Sequence, residues 1–505
     1  MNSEREGNSR IAVNTILLTI RMFFVMAIGL YSTRVVLRVL GASDYGIYNV
    51  VGGFVSMFAF INTSMSNGIQ RFYNYALGRN SGKSLSDVYS TAISIQLIIA
   101  FLIFILTETL GLWYLYQKMV IPPDRFHAAL YCFHFSVVSL VLGVFQLPYM
   151  AMVMARERMN FYAIVSILDA LIKLIIVIAL PHIEYDQLIV YGFLLMIISL
   201  VDLLLYFFYV KHHYNTDTTY HKPDKELFKD MLSFSGWNCF GSFGVVMCSQ
   251  GLNLILNFFF GTVVNAARGI AFQISGACKS FVFNITTASR PQMIQSYAEG
   301  NHKRSLSIME SMSKLCFLSL FILALPVVVE IDFILRIWLG SNIPEYTKIF
   351  TLLILSESLI GVFNPPVSFM VHATGKMKKY QLLTTCVSLT VLPVAYFLMK
   401  LGLEPYFVFI ASLFFTSLCQ IVSVYILRAL LVFSVKGYLQ KVIIPMAIVV
   451  LLSSLIPLLV HIVMDSGWLR LIIVVLCSII CVLFSAFFVG LNSNERSVVL
   501  SFVSL

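Results

Sequence analysis

Charge is what this 505-residue chain has least of. Charged residues make up 11% of it, against about 25% in soluble domains. Hydrophobic residues reach 59%, and mean hydropathy is +0.88. The longest hydrophilic stretch is only 211–229, so no sizeable soluble catalytic domain fits. No P-loop, HExxH or GxSxG motif occurs, which removes the common nucleotide, zinc-peptidase and hydrolase chemistries. The nine cysteines, Cys132, Cys239, Cys248, Cys278, Cys316, Cys386, Cys419, Cys477 and Cys481, contain no CxxC pair and lie in apolar segments. They read as small core residues, so neither disulfides nor a metal site is expected. His212 and His213, adjacent in a loop, read as solvated. No cofactor is expected, and the chain is expected not to be an enzyme. Net charge is +10, but the basic residues are spread over short loops, so a nucleic-acid partner is not expected.

What is present is length in apolar runs. Fourteen helices of about 20 apolar residues need about 280 residues, and 59% of 505 is close to that. The predicted fold is an all-α polytopic membrane protein with about fourteen transmembrane helices. The segments run roughly over 11–37, 45–77, 88–116, 127–153, 161–181, 187–210 and 230–260, then 269–298, 305–335, 349–373, 382–399, 405–427, 442–463 and 469–491. The polar start, MNSEREGNSR, is followed by no small-residue cleavage site, so a first span is expected and not a removed signal peptide. With the N-terminus inside, the inner segments hold 19 Lys and Arg and the outer loops 7. That asymmetry predicts both termini in the cytoplasm.

The chain also repeats. Segment 46–90 matches 269–311, with Gly46-Ile47 on Gly269-Ile270, Gly53 on Gly276, Asn62 on Asn284, Gln70 on Gln292, Tyr75-Ala76 on Tyr297-Ala298 and Ser84-Leu85-Ser86 on Ser305-Leu306-Ser307. Two parallel six-span repeats follow. The expected organisation is an N-lobe over 1–210, a cytoplasmic linker over 211–229, a C-lobe over 230–430, and two extra spans with a tail over 431–505. Repeated membrane halves are the usual build of alternating-access transporters, whose substrate sites lie near the midplane.

An ionisable residue inside a span costs about 2.5–3.5 kcal/mol on insertion scales and is a functional candidate. Arg34 and Arg470 sit near span ends and are expected to snorkel. Lys173 follows Asp169 by four residues and Lys314 follows Glu310 by four, so pairing along one helix is expected. Arg21, Arg71, Lys279 and Arg290 have no carboxylate three or four residues away. Lys279, Thr286 and Arg290 lie within about 20° of one helical stripe. Ser64, Asn67 and Arg71 share a face of span 2, Asn14 and Arg21 one of span 1, and Gln250, Asn253 and Asn257 one of span 7. Spans 1 and 2 correspond to 7 and 8 in the repeat, so a cationic, hydrogen-bonding cavity is expected there. Arg21, Arg71, Lys279, Arg290, Asn14, Asn67, Gln250, Asn253, Asn257 and Thr286 are the candidate substrate-binding residues. Arg grips phosphate bidentately and Lys as a point charge, so the substrate class is anionic. Trp237 and Tyr297 are read either as stacking on sugar or as core. Of the carboxylates, Glu330 and Asp332 are expected to be solvated. Glu357, in LSESLIGVFNPP, is the most isolated. It is read either as the site of a coupling proton or sodium ion, or as a hydrogen-bonding partner of a neighbouring helix.

The stretch Leu40-Gly41-Ala42-Ser43-Asp44-Tyr45-Gly46-Ile47-Tyr48 resembles the first outer loop of polysaccharide flippases of the multidrug/oligosaccharidyl-lipid/polysaccharide exporter superfamily. Span count, repeat and loop pattern extend the resemblance over most of the chain. It implies an undecaprenyl-pyrophosphate-linked oligosaccharide as substrate, flipped from the cytoplasmic to the periplasmic leaflet of a bacterial inner membrane for O-antigen, capsule or related glycan. It also implies a central cationic cavity on spans 1, 2, 7 and 8, contact with membrane lipids, and partnership with other polysaccharide assembly proteins. The alternative in the superfamily is a cation-coupled multidrug exporter, which Arg21 in span 1 disfavours. The alternative of another class is a membrane glycan polymerase or ligase, for which the outer loop 336–348 is too short.

Overall fold

A computed structural model describes residues 2–77, 84–156, 158–340, 342–374, 376–493 and 495–497. The side chains of residues 2–20 and of a few helical positions, Asn67 and Trp237 among them, lie outside the described residues. No strand occurs among the described residues. In lipid each backbone polar group must be bonded within its own segment, which leaves only helices to an open chain.

The helices run in chain order as α1 (Asn2–Ser56), α2 (Ala59–Leu77), α3 (Leu85–Leu106), α4 (Leu112–Gln117), α5 (Phe126–Ala155), α6 (Met159–Ala179), α7 (Gln187–His213), α8 (Lys225–Phe260), α9 (Thr262–Ala298) and α10 (His302–Val329). They continue as α11 (Ile331–Leu339), α12 (Thr347–Gly361), α13 (Asn364–Ala373), α14 (Met377–Leu389), α15 (Val391–Lys400), α16 (Phe407–Leu430), α17 (Val435–Tyr438), α18 (Ile444–Val463) and α19 (Trp468–Ser485). Twelve segments among the described residues are long and apolar enough to cross a membrane. The two remaining expected spans fall on the second half of α1 with α2, and on α9. Length is not their shortfall, since α9 alone has 37 residues. They are the two spans whose sequence is most polar, and they are equivalent in the repeat.

The spans are separated by sharp backbone breaks. α1 kinks at Gly41, with φ 74° and ψ 173°. α8 ends on Gly261, with φ 76° and ψ −168°. Both need the left-handed φ that glycine adopts without strain. The same break thus recurs between spans 1 and 2 and between spans 7 and 8.

The chain forms two compact units, residues 1–269 and 270–505. In the first, one end is tied by Arg125. Its Nε donates to Asp44 Oδ1 at 2.9 Å, and its Nη1 to Asp186 Oδ2 at 2.5 Å. Asp186 also caps α7 by accepting from the amides of Leu188 and Ile189. Burial by itself raises the Asp186 carboxyl, but Arg125 and these amides hold it below its ordinary value. The opposite end is stitched by the 215–221 segment. Ser86 Oγ donates to the Thr219 carbonyl at 2.6 Å, Lys211 Nζ to the Thr218 carbonyl at 2.7 Å, and Arg156 pairs with Asp217. Thr218 is fully buried, while Lys222 is exposed.

In the second unit, α18 and α19 pack on each other and on α10. Two ion clusters bolt them down. At one end Glu330, fully buried, accepts from His461 Nδ1 and Arg470 Nη2, each at 2.8 Å. The solvated Glu330 and the snorkelling Arg470 expected from sequence are therefore corrected: each is the other's buried partner, because α10 ends where α19 begins. Asp332 is exposed, paired with Lys348 at 2.7 Å. At the other end Lys314, fully buried, bonds Glu495 at 2.8 Å, and Glu310 faces Lys441 at 3.7 Å. The expected Lys314–Glu310 pairing is replaced by partners from outside the helix. Lys173 does bond Asp169 on its own helix, at 2.9 Å.

Two outcomes are expected. Lys222→Cys stays unlabelled by an impermeant thiol reagent in intact cells and reacts in inverted vesicles if 211–229 is cytoplasmic; labelling from outside reverses the orientation. Glu495→Gln strands a buried ammonium at a cost of about 3–5 kcal/mol, read as a lower melting temperature in detergent. Adding Lys314→Met to it recovers most of that loss.

Candidate functional site

Unit 1 holds Arg21, Arg71 and the span 7 amides. Arg21 Nη1 donates to Ser166 Oγ of α6 at 3.2 Å, and its guanidinium lies 4.9 Å from the Tyr162 ring. Its Nε is buried without a hydrogen-bond partner. Span 5 thus orients Arg21 by one hydroxyl and one ring and leaves part of its fork unused. Arg71 is exposed and stacks 4.2 Å from the Phe234 ring and 5.3 Å from that of Tyr75.

The span 7 face divides. Asn253 is buried and donates from Nδ2 to the Asn49 carbonyl at 3.1 Å. Its own carbonyl and Oδ1 accept from Asn265 at 2.8 and 2.7 Å. Asn257 is fully buried, accepts from the Val120 amide at 3.0 Å and donates to the Val120 carbonyl at 3.2 Å. These two amides hold α8 against α1 and against the loop before α5. Gln250 is half-buried, and its Oε1 has no partner. The face is close-packed because glycines line it: a Cβ on Gly46 or Gly53 would collide with Thr262 or with Asn253, and one on Gly269 would lie 2.7 Å from Asn49 Oδ1. Asn14 and Asn67 carry side chains outside the described residues.

Unit 2 holds Lys279, Thr286 and Arg290 on α9. Lys279 and Arg290 are exposed and Thr286 is buried. Arg290 lies 4.8 Å from the Phe369 ring. Lys279 interacts electrostatically with Glu357 of α12. One turn before it, Ser275 Oγ lies 2.9 Å from Ser358 Oγ, next to Glu357. Glu357 Oε1 accepts from Ser412 Oγ at 2.9 Å and from Thr416 Oγ1 at 3.0 Å, both on α16. The two hydroxyls went unnoticed in the sequence, although they sit four apart on one face of span 12. His134 was missed as well. Its Nδ1 lies 3.0 Å from Glu108 Oε1, on a π-turn at Thr107–Gly111. Tyr297 is half-buried and packs at 4.7 Å on the exposed His302. Among the described residues no group of three or more His, Cys, Asp or Glu is placed to hold a metal.

The family model described as polysaccharide biosynthesis protein matches residues 11–297, more than half of the chain. The chain belongs to that family. No curated protein matches it significantly. Among solved structures it is similar to the lipid II flippase MurJ in an inward closed conformation, with a TM-score of 0.72 and 14% identity over 96% of this chain and 100% of that one. An inward-facing multidrug-resistance MATE family transporter matches at a TM-score of 0.62 and 14% identity, over 81% and 94%. A MOP superfamily transporter from Pyrococcus furiosus, whose binding pocket is described as reversed in polarity, matches at 0.58 and 15%, over 82% and 95%. At these identities the likeness shows a shared fold. The motif that carried the resemblance in this polysaccharide biosynthesis protein proves architectural: Gly41 makes the break, Asp44 binds Arg125, and Gly46 admits the backbone of Thr262.

Asn257→Leu leaves both polar groups of Val120 without their partner, a cost of about 1–3 kcal/mol. It is expected to lower the melting temperature, whereas Arg290→Ala, whose side chain is exposed, leaves it unchanged. Equal stability of the two variants removes the structural role of Asn257.

Proposed function

We propose that this protein flips an undecaprenyl-pyrophosphate-linked oligosaccharide from the cytoplasmic to the periplasmic leaflet of a bacterial inner membrane by alternating access, for O-antigen, capsule or a related surface polysaccharide. One observation carries the reading. Arg21 lies in a segment apolar enough to cross a membrane, Arg71, Lys279 and Arg290 lie on the two more polar helices α2 and α9 that the sequence reads as spans 2 and 8, and none of the four is in an ion pair within 4.0 Å among the described residues. A bare cation in a span is costly. Four of them on the spans related by the repeat are accounted for by an anion that arrives with the substrate. Family membership supports glycan assembly as the setting, and lipid-linked cargo agrees with the flippase fold.

Arg21, part of whose guanidinium is uncommitted, offers a fork to a pyrophosphate, and Lys279 a point charge. Arg71 and Arg290 serve as entry cations, each steadied on a phenylalanine. Gln250 and Thr286 are suited to sugar hydroxyls, as are Asn14 and Asn67, while Asn253 and Asn257 support the site from behind. Glu357 takes the coupling ion. The multidrug-exporter reading requires a cationic cargo, which the charge of Arg21 and Lys279 opposes.

Removing one partner of a desolvated charge pair costs about 2 kcal/mol or more, so Arg21→Ala and Lys279→Ala are each expected to lower export at least about thirty-fold. Membrane protein level should stay normal. Arg21→Lys keeps the charge without the fork and retains partial export, and Arg34→Ala is mild. The readout is surface glycan in a strain lacking its own flippase. Normal export by both alanine variants overturns the anionic-substrate reading.

A further inference from the structure

Glu357 lies well inside a span, yet an ion-coupling carboxylate has to exchange with bulk water. The polar groups of unit 2 mark a way in. Along α16, Ser412, Thr416, Gln420 and Ser423 recur at intervals of four, four and three residues, one continuous face about 16 Å long at 1.5 Å per residue. Ser412 and Thr416 bond Glu357. At the far end Ser423 Oγ accepts from Asn364 Nδ2 at 3.3 Å, and Asn364 Oδ1 accepts from Tyr380 Oη at 2.7 Å. Asn364 opens α13, two turns beyond Glu357 on the same span. Further along α13, Ser368 Oγ lies 3.4 Å from His372 Nε2. His372 ends the row where spans 10 and 11 join, within a basic segment holding Lys376, Lys378 and Lys379.

Between the two bonded ends stands Gln420. Both its amide nitrogen and its amide oxygen are buried without a hydrogen-bond partner. Such a group costs about 1–3 kcal/mol unless water satisfies it, and polar cavities that orphan several donors and acceptors hold ordered water. Cys419, next to Gln420 in sequence, has its Sγ 3.8 Å from Ser388 Oγ of span 11.

We propose that spans 10, 11 and 12 enclose a hydrated proton path in unit 2, running from His372 through Ser368, Asn364, Ser423 and Gln420 to Glu357. This rests on the reading of Glu357 as the coupling group and makes its ion a proton. A proton passes from water at His372 along hydroxyls and ordered water, and ends on the Glu357 carboxylate, so no other reactant is needed. Among the described residues, Lys279 of α9 acts on Glu357 and Arg290 of α9 acts on His372. The hydroxyls of Ser412 and Thr416 stabilise the ionised carboxylate before the proton arrives. Gln420 is the positioning residue that keeps water in the gap.

The test is infrared difference spectroscopy of the full-length protein in lipid after a rapid acid step. The wild type is expected to give a protonated-carboxyl band that is absent from Glu357→Gln. In Gln420→Leu the band reaches the same final amplitude at least ten-fold more slowly. Gln420→Ser, which keeps a polar group and room for water, rises at about the wild-type rate. Ser423→Ala, which removes a single oxygen and disturbs folding least, is also slowed. A Glu357 band that rises at the wild-type rate in both Gln420→Leu and Ser423→Ala overturns the path and leaves the coupling group standing. Absence of any Glu357 band in the wild type overturns both.

Discussion

The cost of an unpartnered polar group in a low-dielectric interior decides almost everything about this molecule. It forces the chain into helices, and it then sorts every charge that remains inside them. Some charges find a partner within the protein, as Glu330 does with Arg470 and Lys314 with Glu495. Such pairs are poor sources of net stability but are strongly destabilising when broken, so they act as locks on the placement of α18 and α19. Others, Arg21, Arg71, Lys279 and Arg290, are in no close ion pair among the described residues and meet only a hydroxyl, an aromatic ring or a more distant carboxylate. The division into locks and cations outside close ion pairs is the basis of the proposed function.

The helical fold was legible because apolar run length and loop charge are local quantities. Lengths near 20 residues with short basic connections allow little else. The less apolar character of spans 2 and 8 was legible for the same reason, and so was the stripe of Lys279, Thr286 and Arg290. Partner choice was not. A local rule pairs Lys314 with Glu310 four residues away, but the buried ammonium takes Glu495 from the far side of span 14. Glu330 reaches residues 131 and 140 positions distant. Nothing in a hydropathy pattern specifies which helix ends meet. For the same reason Asn253 and Asn257 looked like a ligand-binding face: a polar stripe predicts that something polar will be met, and here that is partly the protein's own backbone.

The family-like motif shows how a recognisable sequence carries fold before function. Gly41 is required by its φ, Asp44 by Arg125, and Gly46 by the close approach of Thr262. Each of the three has a backbone or packing reason to be there. A match resting on such residues supports the architecture strongly and the substrate only through the company the architecture keeps. The substrate argument therefore belongs to the cations, whose chemistry is independent of that motif.

The repeat makes this distinction sharper. Gly41 and Gly261 reproduce one backbone break with nearly the same φ, so the geometry of a helix turning back at the membrane edge was retained in both halves. The polar side chains along the two spans were not retained in kind. Span 1 presents an arginine steadied by a hydroxyl and a ring, whereas span 7 presents amides bonded to backbone. Unit 2 adds a polar row beside a carboxylate along span 12, while the hydroxyls of Ser84, Ser86 and Ser90 in unit 1 are spent on capping α3 and on fastening the 215–221 segment. A break with left-handed φ favours glycine and so tends to persist, but a buried polar side chain is constrained only to find some partner. That freedom lets the two halves of a duplicated fold carry different polar chemistry without altering the helices that carry it.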